Sequence, residues 1–209
     1  MKKIINFLHY VSNSDLFGRR CKIENRGRII NLKKTIYGCC GGGNFMKVGK
    51  GSELRNCSLR IVGSKNRIEI GENVYLGDRC SLYLEGNGIL VKIGDQCSFS
   101  HDDQLCAQED NMRIIIGNDC MFSHHINVRT SDSHVIKDIN TDERLNKPQS
   151  VSIGNHVWVA PNSIIMKGVS IGNGSIVGSN SIVTKSIPDN SIAVGCPTKV
   201  VKTNVKWLR

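Results

Sequence analysis

Six hexads follow one another without a break from Ile153 to Pro188: IGNHVW, VAPNSI, IMKGVS, IGNGSI, VGSNSI and VTKSIP. Each opens on Ile or Val. Four places later each carries a small or β-branched residue, in turn Val157, Ser163, Val169, Ser175, Ser181 and Ile187. A fixed short period of this kind announces a solenoid, here a parallel β-helix. Each hexad supplies one short strand and one turn. Its opening residue points inward, and the Gly, Asn or Asp that follows takes the turn dihedrals other residues resist. Three hexads make an 18-residue coil, so three faces of parallel strands form a triangular prism that rises roughly 4.8 Å per coil. A coil buries its apolar face only by stacking on its neighbours.

The Ile-Gly opening recurs upstream at Ile116-Gly117, Ile93-Gly94, Ile70-Gly71 and Val48-Gly49, and downstream at Ile171-Gly172. From Val48 onward the spacings are 22, 23, 23, 37 and 18 residues. The earlier coils therefore carry insertions of about five residues, and the 37-residue interval is one coil plus a 19-residue loop. That loop, 131–149, is rich in Asp, Asn, Lys and Ser, lacks an apolar period, and must project from the body. The expected prism has about six coils over 48–188. Residues 1–47 lack the repeat and read as a short irregular N-terminal extension, with a short amphipathic helix over 4–17 and a flexible glycine patch at Gly38–Gly43. That patch has no Lys-Ser/Thr after it, so it is not a phosphate loop. Residues 189–209 form a C-terminal tail with a short strand at Ser191–Val194, a Gly-Cys-Pro bend and a basic end that includes Trp207.

Composition removes several function classes. No stretch approaches the roughly 20 apolar residues of a membrane helix. The opening MKKIINFLHYVSNS is basic, but its apolar run is broken by Asn6 and His9, which makes it a poor signal peptide. Nine cysteines show no CxxC spacing, so zinc is not expected. Cys80, Cys97 and Cys120 fall on the small inward position of their coils, where a free thiol behaves as a small hydrophobe. The net charge of +10 is uneven: nine Lys/Arg against Asp15 and Glu24 give +7 in residues 1–34. Such a cluster is a solvated face or an attraction to a polyanion or an anionic membrane surface. The expected location is cytoplasmic, with peripheral contact at the inner face of the membrane as the role open to that cluster. Nucleic acid is not an expected partner.

Of six histidines, His156 sits at an outward hexad position and reads as surface or interface. His124 and His125 lie mid-hexad, where one can line a groove. His134, in RTSDSHVI, opens the long excursion close to the body. A neutral imidazole there can take a proton from a hydroxyl at physiological pH, and Asp132 is near enough in sequence to orient it.

The repeat, the looped His134 and the ending IAVGCPTKVVK resemble the hexapeptide-repeat acyltransferases, and most nearly the sugar and capsular polysaccharide (polysialic acid-type) O-acetyltransferases. The resemblance covers about residues 48–206. It implies an all-β, left-handed parallel β-helix, a hand that is an exception to the general preference for right-handed parallel crossovers. It implies an acetyl-CoA-dependent O-acetyltransferase acting on a hydroxyl of a sugar or surface polysaccharide, an anionic glycan being favoured by the basic N-terminal segment. His134 would be the general base, with direct attack on the thioester in a ternary complex. Ile153–Trp158 matches the family's IG-x-x-x-W motif, which puts Trp158 at the acetyl and pantetheine end of CoA or at the acceptor. Gly178, Ser179, Thr184 and Lys185 match the groove wall that binds pantetheine. Gly195–Lys199 matches the closing G-x-P-A-K pattern, with Thr198 in place of Ala. Lys185, Lys199 and Lys202, with Lys206 and Arg209, suit the phosphates of CoA, so 189–209 is the CoA-binding tail. A homotrimer with sites between subunits is implied, and no metal.

Other occupants of this prism remain as alternatives. Antibiotic-modifying acetyltransferases also use a looped His. Nucleotide-sugar N-acetyltransferases often add an N-terminal Rossmann-like domain, for which 1–47 has no G-x-G-x-x-G. The γ-class carbonic anhydrases need three histidines converging between subunits, and the spacing of His101, His124 and His125 does not suit that. A non-catalytic β-helix scaffold is the last alternative.

Overall fold

The computed structural model describes residues 21–30 and 36–209. The helix expected over 4–17 and most of the basic cluster lie outside the described residues. Among these residues there is no helix, and the strands form three sheets. The first face has seven strands, from Cys21–Asn25 to Ser170–Ile171. The second has nine, from Arg28–Ile30 to Thr198–Lys202. The third has seven, from Ile36–Cys40 to Ile182–Val183. Through Ile182–Val183, successive strands belong to successive faces, and each pairs in parallel with the strand one coil away. The column Val48, Ile70, Ile93, Ile116, Ile153 and Ile171 is in register on the first face. The residues that measured the repeat in sequence are thus one ladder of the core.

Both marked hexad positions are inward. Ile153, Val159, Ile165, Ile171, Val177 and Val183 are all at most 3% exposed, and Val157, Ser163, Val169, Ser175, Ser181 and Ile187 at most 4%. Cys80, Cys97 and Cys120 are buried, free thiols, as their hexad position requires. The wider coils take larger groups, and Phe99 and Phe122 stack with ring centroids 4.3 Å apart.

The prism is longer than the repeat suggests. Each of the first and third faces has seven strands rather than six, because the solenoid is already formed at Cys21. The N-terminal extension is therefore not irregular where it is described: Cys21–Asn25 pairs in parallel with Asn44–Val48. The hexad rule misses these coils because polar groups occupy inward positions. Asn44 is 2% exposed, yet its amide donates to the Gly63 carbonyl at 3.0 Å and its Oδ1 accepts the Asn66 N–H at 2.9 Å. Nor is the glycine patch a flexible lead-in. Gly41, Gly63 and Gly86 stack in successive coils at a corner, with φ of 93°, 117° and 137°. A Cβ on Gly41 would overlap the Gly63 carbonyl, and one on Gly63 the Gly86 carbonyl. We number the coils one to seven, each from its first-face strand.

One inward position carries a buried carboxyl. Asp103 is 1% exposed; its Oδ1 accepts the Ile126 N–H at 2.9 Å, while Oδ2 is buried without a hydrogen bond. Burial pushes this carboxyl up to about 7, so the unfolded chain gives up the proton first. The contribution of Asp103 to stability is then highest below about pH 4 and falls as pH rises to about 7. Asn66 shows how an amide solves the same problem: it accepts the Ile89 N–H and donates to the Gly86 carbonyl. Asp103→Asn is expected to flatten the fall between pH 5 and 8 and to raise stability at pH 8 by on the order of 2–4 kcal/mol, read from urea midpoints at the two pH values.

After coil seven, Ile192–Gly195 joins the second face beside Ile176–Val177, and Thr198–Lys202 turns back antiparallel to it. The tail then returns along the body. Trp207 is 6% exposed, stacks on His156 at 4.0 Å, and donates its indole N–H to the His156 carbonyl at 2.9 Å. Arg209 reaches the Asp119 carboxylate at 2.8 Å, the Gln96 carbonyl at 2.9 Å and Ser98 Oγ at 2.7 Å. Arg209 is a clasp on the prism and does not stand among the lysines grouped with it from sequence. His156, read as a surface or interface residue, is half-buried and bonded to Asp119 at 2.6 Å.

Candidate functional site

The excursion leaves coil five after the third-face strand Asn127–Arg129 and returns at Val151 on the first face. It does not simply project. Glu109 follows Gly86 in the corner column, and its carboxylate takes both Arg144 amino groups at 2.5 and 2.6 Å and the Ser131 hydroxyl at 2.6 Å. The guanidinium and that hydroxyl hold the Glu109 carboxyl below its usual range. Within the loop, Lys137 and Arg144 bridge antiparallel, and the Leu145 N–H donates to the Ile136 carbonyl at 2.8 Å.

The loop's mouth is organised by Asn146, which is 9% exposed. Its amide nitrogen donates to Asp132 Oδ2 at 2.9 Å and to the His134 carbonyl at 2.7 Å, and its Oδ1 accepts the Ile136 N–H at 2.7 Å. Lys167 Nζ completes the cluster at 2.5 Å from Asp132 Oδ2. Lys167 and Asn146 hold the Asp132 carboxyl below the usual carboxylate range. The sequence reading placed Asp132 as the orienter of the His134 ring. The structure instead gives its carboxylate to Lys167 and Asn146, and only its backbone carbonyl meets residue 134, accepting the His134 N–H at 2.8 Å. The backbone of His134 is thus pinned at both ends while its exposed imidazole carries no hydrogen bond among the described residues. A fixed stem with a free ring suits a group that meets its partner only when a ligand or a second chain arrives.

Lys167 stands two residues past Ile165, and Lys185 two past its register partner Val183, so the two lysines occupy one column on adjacent coils. Beyond them a cavity of about 350 Å³ opens at the end of the prism, lined by Thr184, Lys185, Ile187, Ala193, Pro197 and Lys199 among others. The Thr198 hydroxyl donates to the Ile182 carbonyl at 3.2 Å and the Gly195 N–H to Ser181 Oγ at 3.0 Å, which fix the hairpin over this end. None of Lys185, Lys199 and Lys202 is committed to an ion pair among the described residues. Lys202 lies apart from the cavity, opposite Ile192 on the second face.

Trp158 is on another face. It pairs with Met121 and Ile176 on the second face, and its half-buried ring places Nε1 3.5 Å from Ser123 Oγ and lies 6.1 Å from the Trp207 ring. Gly178 continues that face, tight against Val194, and Ser179 is exposed at the next corner. The residues singled out from sequence therefore fall into two groups. Asp132, His134, Thr184 and Lys185 lie along the third-to-first edge, Lys199 reaches the cavity from the second-face hairpin, and Trp158, Gly178, Ser179 and Lys202 are on and beside the second face. No hydrogen bond or ring contact joins His134 to Trp158 among the described residues. Sequence reasoning missed Asn146, which looks like any polar loop residue. It also missed Lys167, whose 18-residue distance from Lys185 was a legible signal.

Residues 150–185 match the bacterial transferase hexapeptide model of six repeats. Over 82 residues, 39% of its length, the chain is 48% identical to a polysialic acid O-acetyltransferase of Escherichia coli O1:K1 / APEC. That match spans only 27% of the relative, about a quarter of its length. Two solved structures are similar over nearly the whole chain. The polysialic acid O-acetyltransferase OatWY has 29% identity and a TM-score of 0.76, covering 90% of this chain and 91% of its own. The polySia-specific acetyltransferase NeuO has 28% identity and a TM-score of 0.68, covering 90% and 89%.

Proposed function

We propose that this chain, which carries the bacterial transferase hexapeptide repeat, is an acyl-CoA-dependent O-acetyltransferase whose acceptor is a hydroxyl of a sialic acid polymer. The observation that carries the reading is the similarity to two polysialic acid acetyltransferases over about nine-tenths of each chain. His134 takes the proton of the acceptor hydroxyl as its oxygen attacks the thioester carbonyl of acetyl-CoA. The tetrahedral intermediate expels the thiolate, which collects that proton, leaving an acetyl ester and free CoA. The free imidazole on a pinned backbone supports this role. The cavity with its two uncommitted lysines supports binding of the cofactor's phosphates there.

The separation of His134 and Trp158 onto different faces favours a site shared between copies, with His134 of one chain meeting Trp158 of the next. A homotrimer of prisms closes such a contact on itself. The test is release of free thiol from acetyl-CoA with polysialic acid as acceptor, beside neutral glycans and sialic acid monomer. Polymer-dependent release is expected. Equal release with a neutral glycan would transfer the reading to another sugar acetyltransferase, and no release with any acceptor would leave a scaffold.

A further inference from the structure

The hexad count treats His101, His124 and His125 as scattered, but the coil count does not. Twenty-three residues are one coil here, so Arg79, Asp102 and His125 stand above one another at the corner between the second and third faces, and His101 pairs with His124 beside them. Arg79, Asp102 and His125 have φ of 62°, 59° and 56°. At the same corner other coils place Asn56, Asn162 and Asn180, with φ of 47°, 59° and 54°. Asn, Asp and His tolerate this left-handed backbone better than other residues with a side chain, while Arg is uncommon there. Coils three to five thus carry Arg, Asp and His where other coils carry Asn.

The side chains converge. The rings of His101 and His124 stack at 4.9 Å and 8°, and His125 stands edge-on to them at 5.6 and 5.4 Å. His101 Nδ1 is 2.8 Å from Asp102 Oδ2. One donor atom each from His101, Asp102 and His125 lies within 4.8 Å of the others, and among the described residues no other group of three ligating side chains does so. The tail, the loop and the C-terminal cavity use none of the three.

We propose that His101, Asp102 and His125 bind one borderline transition-metal dication per chain, zinc, nickel or copper, with His124 as the adjoining imidazole. Two imidazoles and a carboxylate with open positions suit these ions, whereas magnesium and calcium take oxygen ligands. Donors about 2.0–2.1 Å from one ion stand roughly 3–3.5 Å apart, so closure needs shifts of about 1–2 Å, within reach of rotamer changes in partly exposed side chains. Arg79 now pairs with both Asp102 oxygens, at 2.7 and 2.6 Å, and is the group that must yield. Its side chain is 66% exposed, so water and salt screen the pair and the guanidinium can swing away into solvent. Arg79 and His101 hold the Asp102 carboxyl below its usual range, which keeps it an anion.

The test is calorimetric titration of the full-length, tag-free, chelator-stripped chain with zinc and with nickel, and spin resonance of the copper form. One equivalent per chain is expected at micromolar zinc, with imidazole nitrogen couplings to copper. Binding should be lost in His101→Gln and in His125→Asn; the latter restores the residue that other coils use, so the corner keeps its backbone. Asp102→Asn should weaken binding about 10–100-fold. Absence of binding by the wild type at submillimolar zinc would overturn the proposal. So would an equivalent that survives both histidine substitutions while thermal melts show both variants folded. Acetyl transfer is not the readout, so this outcome is independent of the proposed activity.

Discussion

His134→Ala is expected to lower kcat/KM for acetyl transfer by roughly 10²–10⁴-fold, the range for loss of a general base, while leaving the fold unchanged. The imidazole is exposed and carries no hydrogen bond among the described residues, so its removal costs at most about 0.5 kcal/mol. The loop stays tied through the His134 carbonyl, which any residue supplies. Activity near that of the wild type in a folded variant would remove His134 from the mechanism. Co-expression with Trp158→Ala gives the result its second half. If each site joins His134 of one copy to Trp158 of another, two inactive variants assembled at random regain about a quarter of the intact sites. If both residues served one chain's own site, the mixture would stay inactive.

Gly63→Ala is expected to be a severely damaging small change in the body of the prism. Its φ of 117° is closed to L side chains, and the new Cβ would overlap the Gly86 carbonyl of the next coil. Backbone strain of about 1–3 kcal/mol adds to a collision that only sheet displacement can relieve, for a total of about 3–5 kcal/mol. At about 2–4 °C per kcal/mol for a chain of this size, Tm falls by on the order of 10 °C. Gly42→Ala is the matched control: nothing lies within 4 Å of its added Cβ, and losing a glycine there is neutral or stabilises by up to about 1 kcal/mol. Differential scanning calorimetry of the pair measures both.

Gly63 also shows where the sequence was and was not readable. Inward Ile and Val at a strict period were readable, because water exclusion acts on every coil alike. Coil one escaped the reading and the start of coil two was blurred, because Asn44 and Asn66 are inward yet satisfied by backbone groups of a neighbouring coil, a pairing no hexad rule anticipates. His134 stood out because it opens the largest departure from the period. Its anchor, Asn146, did not, since its value lies in three bonds to segments 10–14 residues away. The split between the His134 edge and the Trp158 face was invisible too, because position around a prism depends on insertions as much as on hexads.

The hairpin that closes the second face has a consequence for solubility. A stack of parallel coils ends in rows of unpaired N–H and C=O groups, a template on which another chain can add strands. The returning strand Thr198–Lys202 occupies the second-face edge in the antiparallel sense, and it places Lys199 and Lys202 outward along the new rim. A charged strand of reversed direction is a poor seed for a parallel partner. Chain growth at that edge is blocked by the segment whose turn covers the lysine-lined cavity, so truncation before Thr198 would be expected to raise aggregation, read by light scattering beside the full chain.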